Sequence, residues 1–258
     1  MVNALQRAWT LLVYLFLFAP IVMVVIMSVN RSRYSVFPVP GWSLDWYRQA
    51  LSDPSIVEAL RTSAVVAVIA SVLATSIGTL AAVALVRLRF RLRKVAHAAF
   101  MSPLIIPEII IAIALLTLST TLDFRGGYPI VVAGHVLMGL PFVITVVSAR
   151  LYGFDQSLEE AARDLGADEV RTFLRVTLPL VLPGVVGGLL LAFTVSFDNF
   201  LVTFMVAGSE IVTMPLKIYS MLRFEFSPKI HAASTVIIFI TISLLFVYRA
   251  LTRKDRYL

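Results

Sequence analysis

Six apolar runs, separated by short charged segments, set the pattern of this chain. Ala8–Asn30 carries no charge between Arg7 and Arg31, and Thr62–Val86 none between Arg61 and Arg87. Val95–Leu122 is interrupted only by Glu108, and Gly126–Ala149 lies between Arg125 and Arg150. Val176–Phe197 stays apolar past Asp198 to Val206, and Ile230–Tyr248 lies between Lys229 and Arg249. A helix of about 20 apolar residues crosses a hydrocarbon core of about 30 Å. Backbone groups there must be satisfied internally, so runs of this length predict helices, and strand alternation of the outer-membrane kind is absent. The expectation is an all-α membrane protein with six transmembrane helices, at 8–30, 62–86, 95–119, 127–149, 180–205 and 230–250, in one domain over 1–258.

Composition agrees: the chain is 59% hydrophobic and 14% charged, against about 25% charged in soluble domains. With no cysteine, disulfides, thiol catalysis and cysteine-ligated metals are excluded. The first run is too long for a signal-peptide core and lacks a small-x-small cleavage site, so it reads as a retained span. The net charge of +7 sits mostly in short loops, where topology accounts for it and nucleic-acid binding does not. An even number of spans puts both termini on one side. The loop Arg87, Arg89, Arg91, Arg93 and Lys94, with Arg150, Arg163, Arg171, Arg175 and the C-terminal Arg249, Arg253, Lys254 and Arg256, makes that side the cytoplasm. Of the outer segments, GWSLDWYRQAL has aromatics Trp42, Trp46 and Tyr47 suited to an interfacial helix. The segment 207–229, with Pro215 and Pro228, is expected to pack back into the membrane mouth.

One charged island breaks the apolar pattern. Gly153–Pro179 holds six acids and three arginines between two predicted spans. Ser157-Leu158-Glu159-Glu160 reads as a capping box that starts a helix at Leu158. Leu158, Ala161, Ala162 and Leu165 then fall on one narrow stripe, shallow enough for another surface to approach closely. Gly166 suits the left-handed position after a helix end. A second amphipathic segment places Val170, Phe173, Leu174, Thr177 and Leu178 on one face, and Pro179 is expected to stop it. The whole is a predicted helix–turn–helix on the membrane surface.

Glu160-Ala161-Ala162, three residues, Gly166, nine residues, then Val176-Thr177-Leu178-Pro179 resembles the EAA loop of binding-protein-dependent ABC importer permeases, with Val176 for the usual isoleucine. The resemblance implies the type I importer permease fold and a bacterial inner-membrane location. It implies a non-catalytic subunit whose short helix, with Leu158, Glu160, Ala161, Ala162, Gly166, Leu178 and Pro179, couples to an ATPase. The chain has no G-x-x-x-x-G-K-[ST] loop. ATP and magnesium are therefore expected on a partner ATPase dimer, and no cofactor on this chain. The other implied partners are a second, non-identical permease, an extracytoplasmic substrate-binding protein and the lipid bilayer, with no nucleic acid. RTSAVVAVIAS (61–71), MSPLIIPEIIIAIALL (101–116), AFTVSFDNFLVTFMVAG (192–208), MPLKIYSML (214–222) and SPKIHAAST (227–235) are similar to the second permease of spermidine/putrescine-type importers.

Substrate chemistry rests on intramembrane acids. Glu108 falls about 20 Å into a helix begun at Val95, at about 1.5 Å per residue, and Asp198 lies late in the next-to-last span. A carboxylate at the bilayer centre costs about 2.5–3.5 kcal/mol, so it faces a cavity or a partner. Pro103 and Pro107 free carbonyls beside Glu108 in a kinked helix, which suits an ammonium group. The candidate pathway is Glu108, Phe197, Asp198 and Asn199. The alternative is that each acid pairs with a neighbouring helix or is protonated. The polyamine-type relatives commonly carry a second acid after the Asp198 position, where this chain has Asn199. A monoamine, opine, amino-acid derivative or other compatible solute therefore stays open beside a polyamine. A stand-alone secondary transporter or channel also has spans and intramembrane acids, but does not need the island. A membrane-embedded enzyme lacks its constellation here: no G-x-S-x-G and no His–acid metal spacing. His97, His135 and His231 read as polar packing residues, and Gly184-x-x-x-Gly188 as a close helix contact. The outer acids Asp45, Asp53, Asp123, Glu210 and Glu225, with Arg31 and Arg33, read as solvated.

Overall fold

The apolar runs fold as helices in the computed structural model, which describes residues 4–34, 37–123, 127–208, 211–224 and 228–253. Arg125, Glu210, Glu225, Lys254 and Arg256 lie outside the described residues. The chain runs through α1 (Ala4–Ser28), α2 (Asp45–Leu51), α3 (Pro54–Arg87), α4 (Arg93–Ile105), α5 (Glu108–Thr121) and α6 (Tyr128–Tyr152). It continues through α7 (Ser157–Asp164), α8 (Glu169–Thr172), a π-helical turn (Phe173–Thr177), α9 (Leu178–Phe197), α10 (Leu201–Val206), α11 (Met214–Phe224) and α12 (Lys229–Arg253). The described residues contain no strand, only an isolated bridge between Asn30 and Trp42. Among the described residues, five helices are long and apolar enough to cross a membrane, or six with α4 and α5 counted as one broken span.

The chain divides by internal contact into two compact units, Met1–Leu60 with Leu216–Ile242, and Arg61–Pro215 with Ser243–Leu258. In the first, α1 is apolar all round and buries only Met27 and Ser28, as a lipid-facing helix does. Its end is tied down by the predicted interfacial aromatics. Trp46 Nε1 donates to the Asn30 carbonyl at 2.7 Å, and the Tyr47 hydroxyl lies 2.7 Å from Ser28 Oγ. Trp46 therefore points inward, a correction to its interfacial role, while Trp42 stays 67% exposed. Asp53 is not a merely solvated acid either. Its carboxylate accepts from the Ser55 amide and hydroxyl at the start of α3, where Pro54 stands at the first helical position. It also accepts from Lys229 Nζ at 3.2 Å, at the start of α12. The Ser55 hydroxyl first, and Lys229 after it, hold this carboxyl below its usual range.

In the second unit α6 is central, with Val131, Val143, Val147 and Leu151 fully buried. Gly184 and Gly188 let α9 lie against it. An added Cβ would stand 2.6 Å from Arg150 Cγ at Gly184 and 3.2 Å from Val143 Cα at Gly188. Ala67, Ala70, Ala74 and Ala82 of α3 are buried, small residues of the kind that let membrane helices approach. Ile211 and Met214 fold back into this unit, the Met214 amide donating to Ser63 Oγ at 2.8 Å.

Both predicted intramembrane acids stand at helix breaks, not within helices. Ile106 precedes Pro107 and is held extended (φ −76°, ψ 129°), as a residue before proline prefers. So α4 ends there, and α5 departs at 106° with Glu108 as its first residue. The expected single kinked helix over 95–119 is two helices. The expected span 180–205 is likewise broken: α9 ends at Phe197, Asp198 caps it, and α10 begins at Leu201.

Candidate functional site

Two sites emerge, one at the facing helix breaks and one at the charged island. At the first, Asn199 Nδ2 donates to Glu108 Oε1, joining the α9–α10 break to the α4–α5 break. The other amide atom, Asn199 Oδ1, is buried with no hydrogen-bond partner among the described residues. Asp198 is exposed. A cavity of about 590 Å³ opens here, lined by Pro103–Glu108, Met138, Phe142, Val195 and Asp198–Leu201. It thus brings together Glu108, Asp198 and Asn199. Phe197, the fourth predicted pathway residue, is buried and stacked on Phe193, with ring centroids 5.7 Å apart. It does not line this cavity.

The break is braced from behind by a residue read from sequence only as polar packing. His135 of α6 is buried, with Nδ1 2.7 Å from Ser196 Oγ and Nε2 2.9 Å from Thr203 Oγ1. One imidazole thus holds α9 before the break and α10 after it. A helix interrupted within an apolar run needs such a partner for its freed polar groups. No periodicity signals this, because Ser196, Thr203 and His135 are far apart in sequence. Lined by two carboxylates, a carbonyl oxygen left without a donor, and the C-terminal end of α9 with its partial negative charge, the cavity offers acceptors to a cationic or hydrogen-bond-donating solute.

At the second site, α7 begins at Ser157, and the capping box does not form. Gln156 is the N-cap residue without a side-chain bond. The Glu160 amide donates to the Gln156 carbonyl, while Asp155 Oδ1 accepts from the Ser157 amide at 3.0 Å. Hydrogen bonds from Ser157, the amide first and the hydroxyl after it, hold the exposed Asp155 carboxyl below its usual range. An anion at a helix start competes well for the free amides there. Gly166 takes φ +84° as predicted, and α8 starts with Asp168 Oδ1 accepting from the Arg171 amide at 2.7 Å. Pro179 does not stop the second segment. The helix runs on from Glu169 through the π-helical turn to Phe197, and Pro179, which has no amide to donate, stands just after that turn.

The two faces of α7 differ sharply. Leu158 is 47% and Leu165 90% exposed, Glu160 and Ala161 are exposed, and Ala162 is half-buried. Glu159 is 5% exposed. Its Oε1 accepts from Thr177 Oγ1 at 2.7 Å, and its Oε2 lies 3.2 Å from Arg87 Nε. The sequence motif draws attention to Glu160; the buried residue is its neighbour.

Comparison with known proteins places this architecture. Residues 74–254 match the family described as binding-protein-dependent transport system inner membrane component. The chain is 34% identical over 253 residues to the spermidine/putrescine transport system permease protein PotC of Haemophilus influenzae, covering 98% of each. It is 38% identical over 236 residues to the putrescine transport system permease protein PotI of Escherichia coli strain K12, covering 88% of this chain and 83% of that one. A chain of a bacterial ABC transporter importing the polysaccharide alginate superposes with a TM-score of 0.71 at 15% identity, over 98% of this chain and 97% of that one. A chain of the MetNI methionine ABC transporter does so with 0.65 at 16% identity, over 79% and 98%. The fold is thus the type I ABC importer permease fold, and this multi-pass chain belongs to the inner-membrane components of binding-protein-dependent transport systems.

Proposed function

We propose that this chain forms half of the translocation pathway of an ATP-driven importer for a small amine and is driven through α7. The exposed stripe of α7, set opposite a buried and paired Glu159, is the observation that carries the reading. A surface helix that only packed on its own bundle would turn Leu158 and Leu165 inward. Here the reverse face is anchored and the apolar stripe is presented outward, as a docking element requires. The partner is an ATPase dimer carrying ATP and magnesium, with Gly166 allowing the chain to turn back toward the spans. The loop arginines put the termini and α7 in the cytoplasm. A second, non-identical permease completes the pathway, and an extracytoplasmic binding protein delivers the solute.

For the substrate, the cavity at the two breaks supports a cation. Broken helices are where transporters place their binding groups, since unpaired backbone atoms become useful only beside a cavity. Asp198 stands open to the cavity, while Glu108 and Asn199 occupy each other in the state described. The relatives named for putrescine and spermidine transport support a polyamine. Asn199, where such relatives commonly have an acid, supports a second reading: a monoamine, opine or amino-acid derivative. Reconstitution of the complex isolated from membranes, followed by ATPase assays over putrescine, spermidine, a monoamine and an opine with the binding protein present, separates these. Stimulation by the polyamines alone supports the first, and by the others the second. Uptake by this chain alone in liposomes without ATP would overturn both.

A further inference from the structure

The buried charge pair beneath α7 lies behind the exposed stripe of that helix. Arg87 is the last residue of α3 and its side chain is 13% exposed; that of Glu159 is 7% exposed. The Arg87 guanidinium also covers the Phe154 ring, with Cζ 4.8 Å from its centroid, in the segment leading into α7. Thr177, the second partner of Glu159, is the last residue of the π-helical turn and leads directly into α9. One carboxylate therefore ties three elements together: the end of α3, the anchored face of α7 and the start of α9.

The pairing is poor as a stabilising device. Arg87 Nε lies 3.2 Å from Glu159 Oε2 but makes no well-directed hydrogen bond, and Arg87 Nη2 is buried with no partner among the described residues. Thr172 Oγ1, in the adjoining α8, is likewise buried and unpartnered. Burying two charges costs more than such geometry returns, and apolar residues of similar volume commonly serve stability better. What an imperfect buried pair does supply is register, because any slip of one element past the others leaves a charge unpaired. A π-turn is also a frequent companion of functional segments.

We propose that Arg87, Glu159 and Thr177 form the strut that carries movement of α7 into α3 and α9 together. They are positioning residues, and the proposal rests on the reading of α7 as the ATPase-docking helix. A push on the exposed stripe reaches the pair directly, and α9 leads from Thr177 to Asp198 at the cavity.

The test uses the assembled complex and the cysteine-free background, with spin labels on Asp164→Cys in α7 and Leu104→Cys at the cavity. The wild-type pair is expected to change distance between nucleotide-free and ATP–vanadate-trapped complexes. In Glu159→Gln, which keeps a partner for Thr177 but loses the charge, the ATPase should stay bound and hydrolyse ATP. The population showing the trapped distance should then fall by at least about fivefold, the low end of an allosteric coupling. The exchanged pair Arg87→Glu with Glu159→Arg should recover part of it. A wild-type distance change in Glu159→Gln overturns the strut. Should that variant fail to assemble, Thr177→Val, which removes only a hydroxyl, carries the same test. Failure of both to assemble assigns the cluster to folding and also overturns it. Leu158→Arg tests the underlying reading separately: if the ATPase remains bound, docking on α7 falls, whatever Glu159→Gln shows.

Discussion

Single residues decide what the cavity can hold. Glu108 and Asp198 stood out in the sequence because a charge in an apolar run is costly, and both do line one cavity. Their division of labour was not legible. Glu108 is engaged by Asn199, 91 positions away, and Asp198 is exposed. Pairing across that separation is a tertiary fact. Asp198→Asn is expected to leave the complex assembled while lowering uptake at limiting solute about tenfold, the loss of one charge-assisted hydrogen bond of about 1.5 kcal/mol. Unchanged uptake kinetics in isolated membranes would make Asp198 structural. His135 and Glu159 were missed as organisers for the same reason: their partners lie 61, 68 and 18 positions away.

At the level of elements, local rules succeeded wherever the deciding contact was local. Gly166 was read as the left-handed turn after α7, and it adopts φ +84° with no atom within 4 Å of an added Cβ. A β-branched side chain there is strained by its backbone alone, by about 1–2 kcal/mol. Gly166→Val is therefore expected to insert normally yet hydrolyse ATP without uptake, and wild-type uptake in that variant would remove the turn from the coupling role. The same local reading failed at Ser157 and Pro179. Asp155 took the Ser157 amide and the Gln156 carbonyl took the Glu160 amide, so no donor was left for a capping box, and the helix continued past Pro179 by way of a π-helical turn. It also made one helix of α4 and α5, because hydrophobicity is blind to the direction change that Pro107 imposes.

For the molecule as a whole, the absence of cysteine makes its orientation directly measurable. A cysteine at Tyr34, exposed on the expected outer side, should react with an impermeant maleimide on intact cells. One at Gln156, exposed in the island ahead of α7 and off its apolar stripe, should react only after the membrane is opened. The reverse pattern would invert the assignment of sides. The sequence by itself determined the helical class, the positions of the apolar runs and the family motif of the island, since each depends on composition and short spacing. Only the tertiary structure decided that the acids sit at facing breaks around one cavity. It alone decided that Trp46 and Asp53 turn to hold helix ends, and that Glu159, not the motif's Glu160, anchors α7. These outcomes depend on which distant polar groups find one another once the helices are placed. In an apolar setting such groups must find partners, and no local pattern says which. The island's apolar stripe was visible from the beginning, and the structure added what lies behind it.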